Sequence, residues 1–129
     1  MEVLLVRTAD VWDSRTRLIR CQGGINWLDM GAGVGYGFAT MSTDTGHNST
    51  SGDITWALNN PQTKIDWGYR AMHESIVIAK QVIESYYRCK PKYNYYSGCS
   101  TGGRQGIRDI QLYPSDFDGV LAGEYTSAQ

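Results

Sequence analysis

The most regular hydrophobic pattern in the chain lies over residues 67–87. Tyr69, Met72, Ile76, Ala79, Ile83 and Tyr86 recur at spacings of 3, 4, 3, 4 and 3, which lays one apolar stripe along a helix. Asp66 stands where an N-cap is expected, and Pro91 stops the helix from continuing. Tyr93-Asn94-Tyr95-Tyr96-Ser97 then reads as a short aromatic strand, followed by a glycine-rich turn over 98–103. The pattern predicts a second helix over 101–112, with Ile107, Ile110 and Gln111 near one face and Pro114 just past its end. Gly119-Val120-Leu121-Ala122 reads as a short buried strand. Upstream, Gly23-Gly24 opens what reads as a glycine-rich loop to Gly33, and residues 34–43 alternate as a strand through Tyr36, Phe38 and Thr40. Residues 43–52 are turn chemistry throughout. Residues 1–22 stand apart: Arg-rich, with no clear period. The order strand, helix, strand, helix, strand predicts an α/β fold with a parallel sheet and right-handed crossovers.

Composition narrows the function classes. The 129 residues suffice for one domain, and a net charge of −1 with 19% charged residues gives no electrostatic reason to expect nucleic acid or an anionic membrane as partner. The longest clean apolar run, Ile76-Val77-Ile78-Ala79, falls far short of the roughly 20 residues that span a bilayer. Val3-Leu4-Leu5-Val6 is shorter than a signal-peptide core of about 7–15 residues, so no signal peptide is expected in this chain. The three cysteines, Cys21, Cys89 and Cys99, have no zinc spacing. In a secreted protein the odd count would leave one thiol unpaired or paired outside the chain.

The motif that carries chemistry is Gly98-Cys99-Ser100-Thr101-Gly102, which matches the G-x-S-x-G nucleophile elbow. A serine on a sharp strand-to-helix turn leaves no room for side chains two positions to either side, so glycine is needed there. The turn raises the Ser100 hydroxyl above the sheet, aims the Thr101 amide at a developing oxyanion, and adds the positive end of the following helix. A strand before, a helix after and a buried strand next supply the required context. A glycine-serine turn without chemistry is the plainer alternative.

The run from Tyr95 through Ser100 to Gly106 resembles the signature of the tannase and feruloyl esterase family. Tyr113-Pro114-Ser115-Asp116-Phe117-Asp118-Gly119-Val120-Leu121-Ala122-Gly123, Ser42-Thr43-Asp44-Thr45-Gly46-His47 and Tyr69-Arg70-Ala71-Met72-His73-Glu74 are similar to it too, in the same order. The likeness covers residues 23–123; residues 1–22 and 124–129 read as unmatched ends. It implies an α/β-hydrolase fold, incomplete in this chain, whose large calcium-binding lid domain lies outside it. It implies a serine carboxylic ester hydrolase, secreted, acting on esters of phenolic acids or on plant cell-wall polysaccharide esters. By the same resemblance Ser100 is the nucleophile, and Cys99 bonds a cysteine beside the catalytic histidine. In this fold the triad runs Ser, Asp, His, and no histidine follows Ser100. The expectation is therefore an enzyme-derived chain that is inactive alone. The alternatives are a non-catalytic fragment, or a lipase or peptidase of the same fold, which the Cys-Ser-Thr-Gly-Gly context disfavours.

The remaining candidates read as structural. His73, one position from Met72 on the predicted helix, reads as a structural histidine. His47 lies in a loop that could approach the site, but both histidines precede the serine. Asp109 reads as a helix-surface charge, and Asp116 and Asp118 as turn residues. Gly31-Ala32-Gly33-Val34-Gly35-Tyr36-Gly37 lacks the third glycine of a dinucleotide fingerprint and is assigned to close strand packing. Gly23-Gly24 could remain from a loop that supplies a second oxyanion donor. Asn48-Ser49-Thr50 is a glycosylation sequon in a predicted loop, and the tyrosines are expected in the core and on the sheet faces.

Overall fold

The computed structural model describes residues 3–7, 24–49 and 53–123. Its frame is a parallel four-stranded sheet in the order β2-β1-β3-β4, formed by β1 (Val3–Arg7), β2 (Ala39–Met41), β3 (Tyr93–Cys99) and β4 (Gly119–Gly123). The helices are α1 (Trp27–Gly35), α2 (Pro61–Ile65), α3 (Ala71–Tyr87) and α4 (Thr101–Leu112). The α/β class and the alternation from β2 onward are as the sequence predicts. β1 is the surprise. The segment read as patternless contributes an interior strand, with Leu5 opposite both Thr40 and Tyr95. A strand flanked on both sides needs a continuous apolar run rather than alternation, and Val3-Leu4-Leu5-Val6 is such a run.

The glycine-rich stretch is also corrected. Residues 27–35 form a helix, and the strand predicted over 34–43 shrinks to three residues. Two local signals override glycine's poor helix propensity. Asn26 caps the start, its side chain accepting from the Asp29 amide at 3.1 Å. Gly37, at φ +86°, closes the end: its amide donates to the Val34 carbonyl, and the Phe38 amide to the Gly33 carbonyl. That 5→2 and 6→1 pair is a Schellman stop. The glycines of 31–35 are therefore helical and not strand-packing residues.

The long helix begins earlier than expected. Asn60, accepting from the Thr63 amide at 3.3 Å, caps α2, and Pro61 occupies its first position. A π-helical turn, Asp66–Arg70, leads into α3. Asp66 is therefore no N-cap; its carboxylate accepts from Arg70 Nε at 2.6 Å. Of the predicted stripe, Met72 and Ile76 enter the core, Ala79 and Ile83 pack beside it, and Tyr86 is exposed. Arg88 ends α3 in the left-handed conformation, φ 59°. The core itself is Met72, Ile76, Tyr96 and Phe117, flanked by Met41 and Val120. It joins α3 to the sheet directly beneath the β3–α4 turn.

Candidate active site

The turn between β3 and α4 has the geometry its sequence demands. Ser100 sits at φ 54°, ψ −117°, a region that non-glycine residues occupy at a cost of about 1–3 kcal/mol. Its amide donates to the Gly123 carbonyl at 3.0 Å, and its own carbonyl accepts from the Arg104 amide at 3.1 Å. Both backbone groups are thus fixed, one to the end of β4 and one to the first turn of α4. Thr101 opens α4, where backbone amides point beyond the helix end and the helix dipole is positive.

The glycines are required by contact. A Cβ on Gly98 would lie 2.5 Å from the Tyr96 hydroxyl oxygen and 2.8 Å from the Gly102 carbonyl carbon. One on Gly103 would lie 2.5 Å from the Gly123 carbonyl oxygen, and one on Gly106 would overlap the Tyr96 ring. α4 therefore lies against β3 and β4 through Gly102, Gly103 and Gly106, all buried. The Tyr96 hydroxyl, itself 1% exposed, donates to the Gly102 carbonyl at 2.6 Å and ties the strand to the helix. Cys99 has no disulfide partner among the described residues, and Gly123 approaches it so closely that a Cβ there would lie 2.9 Å from Sγ. Cys89 is exposed and likewise without a disulfide partner among the described residues; Cys21, like Gly23, lies outside them.

Neither histidine hydrogen-bonds Ser100 among the described residues. His47 is buried and stacked on Trp56 at 3.9 Å, with Nδ1 3.5 Å from the Thr45 hydroxyl. His73 bonds Asp116 through Nδ1 at 2.6 Å and stacks on Tyr113 at 3.6 Å. Its neighbours lie at the C-terminal end of α4: Asp109 is eight residues past Thr101, about 12 Å along the axis. His73 is thus engaged with Asp116 and Tyr113, away from the serine turn.

Asp109 is not the surface charge expected. Its place in the series Gly102, Gly106, Asp109 puts it on α4's buried face, where it is 2% exposed and neither carboxylate oxygen has a hydrogen-bond partner among the described residues. Burial first, and then the Asp116 charge, raise its pKa to about 7; His73 and Lys80 oppose the shift. Asp116 is likewise buried, so it is more than a turn residue. Asp118 does act at the turn, its carboxylate accepting from the Asn94 amide at 2.7 Å. Asn48 is exposed on its loop. The His73–Asp109–Asp116 cluster gave one sequence signal, the helical spacing of Asp109 from the glycines. The pairing across 43 residues gave none.

The family model for tannase and feruloyl esterase matches residues 13–128. The chain belongs to the tannase and feruloyl esterase family. The match extends beyond residues 23–123 at both ends. A probable feruloyl esterase B-2 of Aspergillus terreus is 45% identical over 101 residues, 78% of this chain. One of Neosartorya fischeri is 46% identical over the same length. The crystal structure of feruloyl esterase B from Aspergillus oryzae superposes with a TM-score of 0.81 at 36% identity, over 94% of this chain and 22% of that one. The chain spans 19% of the length of these curated relatives, about a fifth. Within the tannase and feruloyl esterase family, then, it corresponds to the segment around the serine turn.

Proposed function

We propose that this chain is the nucleophile-bearing segment of a serine carboxylic ester hydrolase of the α/β-hydrolase type. The observation that carries the reading is Ser100 at φ 54°, ψ −117° at the head of α4, because that backbone is strained and persists only where its surroundings hold it. The relatives' names, feruloyl esterase B-2 and feruloyl esterase B, support feruloyl esters, a class of phenolic-acid ester, as substrates. A secreted protein is the setting that belongs to the same reading.

In the proposed reaction Ser100 Oγ attacks the ester carbonyl carbon and its proton passes to a histidine. The Thr101 N–H donates to the oxyanion at the N-terminal end of α4. Collapse expels the alcohol, which takes the proton, and water then releases the acid from the acyl-serine. His47 and His73 are both held elsewhere, so the base and its acid partner come from sequence other than the described residues. In the same reading Cys99 pairs with a cysteine beside that histidine, which would limit relative motion of nucleophile and base.

The family's calcium ion belongs to its lid. Among the described residues the one cluster with ligand-like spacing is His73, Asp109 and Asp116. It does not fit calcium, which takes six to eight oxygens, and Lys80 Nζ already stands 3.8 Å from Asp116. No step of the mechanism passes through it.

A chimaera tests the proposal. Residues 24–123 replace the corresponding stretch of Aspergillus oryzae feruloyl esterase B, and methyl ferulate hydrolysis is assayed with and without Ser100→Ala. Turnover that falls at least a thousandfold in the alanine variant, with a fluorophosphonate adduct mapped to Ser100, is the expected result. A folded chimaera that keeps its activity after Ser100→Ala would refute the assignment.

A further inference from the structure

Beside the serine turn, α2 and the π-helical turn face the outer side of α4 across an open groove of about 550 Å³. Its walls combine three cations, Lys64, Arg104 and Arg108, with three apolar surfaces, Ile65, Tyr69 and Ile107. Arg104, Ile107 and Arg108 lie on one stripe of α4, at i, i+3 and i+4. The opposite stripe carries the buried glycines, so the groove residues are not committed to the core. Arg104 is held in place by stacking on the Trp67 ring, its guanidinium carbon 3.9 Å from the centroid. No acidic side chain lines the groove among the described residues. The one carboxylate of the adjoining π-turn, Asp66, is occupied by Arg70.

We infer that this groove binds an aromatic monocarboxylate, the acid that the proposed reaction releases, in preference to its neutral ester. The inference rests on the proposed esterase activity for the ligand's identity, and on the groove alone for its chemistry. The volume falls in the range of small-ligand sites, roughly 300–1,000 Å³. The Arg108 guanidinium and the Lys64 ammonium offer donors to a planar carboxylate, for which arginine geometry is suited, and the stacked Arg104 adds positive charge beside them. Ile65, Ile107 and the Tyr69 ring give a flat apolar bed for an aromatic ring. An ester keeps the ring and loses the charge, so it forfeits the charge-assisted bonds while retaining the apolar contact. Arg104 also donates its backbone amide to the Ser100 carbonyl, so the groove begins one helical turn from the nucleophile. Product held there lies beside the site and apart from Ser100 itself.

The test is calorimetric titration at low salt of ferulate, methyl ferulate and inorganic sulfate into the Ser100→Ala form of the 129-residue chain. The same titrations are run on the Ser100→Ala chimaera. The key variant is Lys64→Gln with Arg108→Gln, two exposed residues whose replacement leaves the core intact. Ferulate is expected to bind at least tenfold more tightly than methyl ferulate or sulfate. The double variant and 0.5 M salt should each weaken it tenfold or more. Equal affinity for methyl ferulate, equal affinity for sulfate, or full ferulate binding in the double variant would each overturn the inference. A chimaera that hydrolyses methyl ferulate through Ser100 yet shows no charge-dependent ferulate binding would also overturn it, and would leave the esterase proposal standing.

Discussion

The Tyr96 hydroxyl donates to the Gly102 carbonyl at 2.6 Å, across six residues that include the whole serine turn. This bond spans the turn from the last buried tyrosine of β3 to the first turn of α4. It supports the strained backbone between them from beneath. Tyr96→Phe keeps the ring in the core and removes only the donor. It should cost about 1 kcal/mol in a urea titration, whereas Tyr96→Ala should cost about 3–5 kcal/mol by opening a cavity. No loss in Tyr96→Phe beside a full loss in Tyr96→Ala would mean that the hydroxyl contributes nothing separate from the ring.

Gly106 tests the same contact from the helix side. A methyl group there meets the Tyr96 ring and approaches Val120 at 3.3 Å, so Gly106→Ala should destabilise by about 1–3 kcal/mol through overpacking. Gly31→Ala is the contrast, since nothing lies within 4 Å of a Cβ at that helical position. It should stabilise α1 by about 0.5–1 kcal/mol. Thermal melts of the two variants should move in opposite directions.

Much of this frame could be read from the chain beforehand, and the failures have local causes. α4 has the predicted limits because an elbow motif fixes its start and Pro114 its end. The apolar stripe located α3, but the stripe could not show that Asn60-Pro61 begins the helical run before the π-turn. Glycine content hid α1, where the informative residues were Asn26 and Gly37 at the two ends. β1 carries an apolar run too short to distinguish a buried strand from any other four aliphatic residues. The strained turn at Ser100 was legible because a sharp strand-to-helix turn needs glycine at fixed offsets. The groove of Lys64, Tyr69 and Arg104 was not, because it joins residues 40 apart through packing that no short-range pattern encodes.

Ser100 itself should trade stability for geometry. Glycine adopts positive φ without the Cβ penalty, so Ser100→Gly should raise the unfolding free energy, while Ser100→Ala should not. The gain is expected at up to about 1 kcal/mol, since glycine also enlarges the entropy of the unfolded chain. A glycine variant less stable than the alanine variant would show that the turn is not strained by its side chain.

The exposed edge of the sheet makes a solubility prediction. β4 pairs with β3 on one side and with no other strand among the described residues, and Leu121 on it is 70% exposed. An apolar edge strand is a template for intermolecular pairing. Leu121→Lys should leave the melting temperature within about 3 °C and reduce light scattering at raised concentration. Unchanged scattering would place the aggregation-prone surface elsewhere.

Asp109 sets a pH dependence whose sign can be worked out. Its pKa is raised from the ordinary carboxylate range to about 7, by burial and then by the Asp116 charge. The groups facing it are Asp116 from the α4–β4 loop, and His73 and Lys80 from α3; the last two favour its charged form. A raised carboxylate pKa means that the folded chain binds more protons than the unfolded chain between these two values. Stability must therefore fall as pH rises through that window. Below about pH 4 both states are protonated and the residue costs nothing. Above about pH 7 the full cost of burying the charge is present. Asp109→Asn removes the charge at similar volume. The melting temperature of the unmutated chain should fall between pH 4.5 and 7 relative to the Asn variant, by several degrees. The two curves should diverge steadily over that range and run parallel above it. Thermal unfolding in a buffer series of constant ionic strength measures this difference, and parallel curves throughout would mean that Asp109 is ionised in the fold at all these pH values.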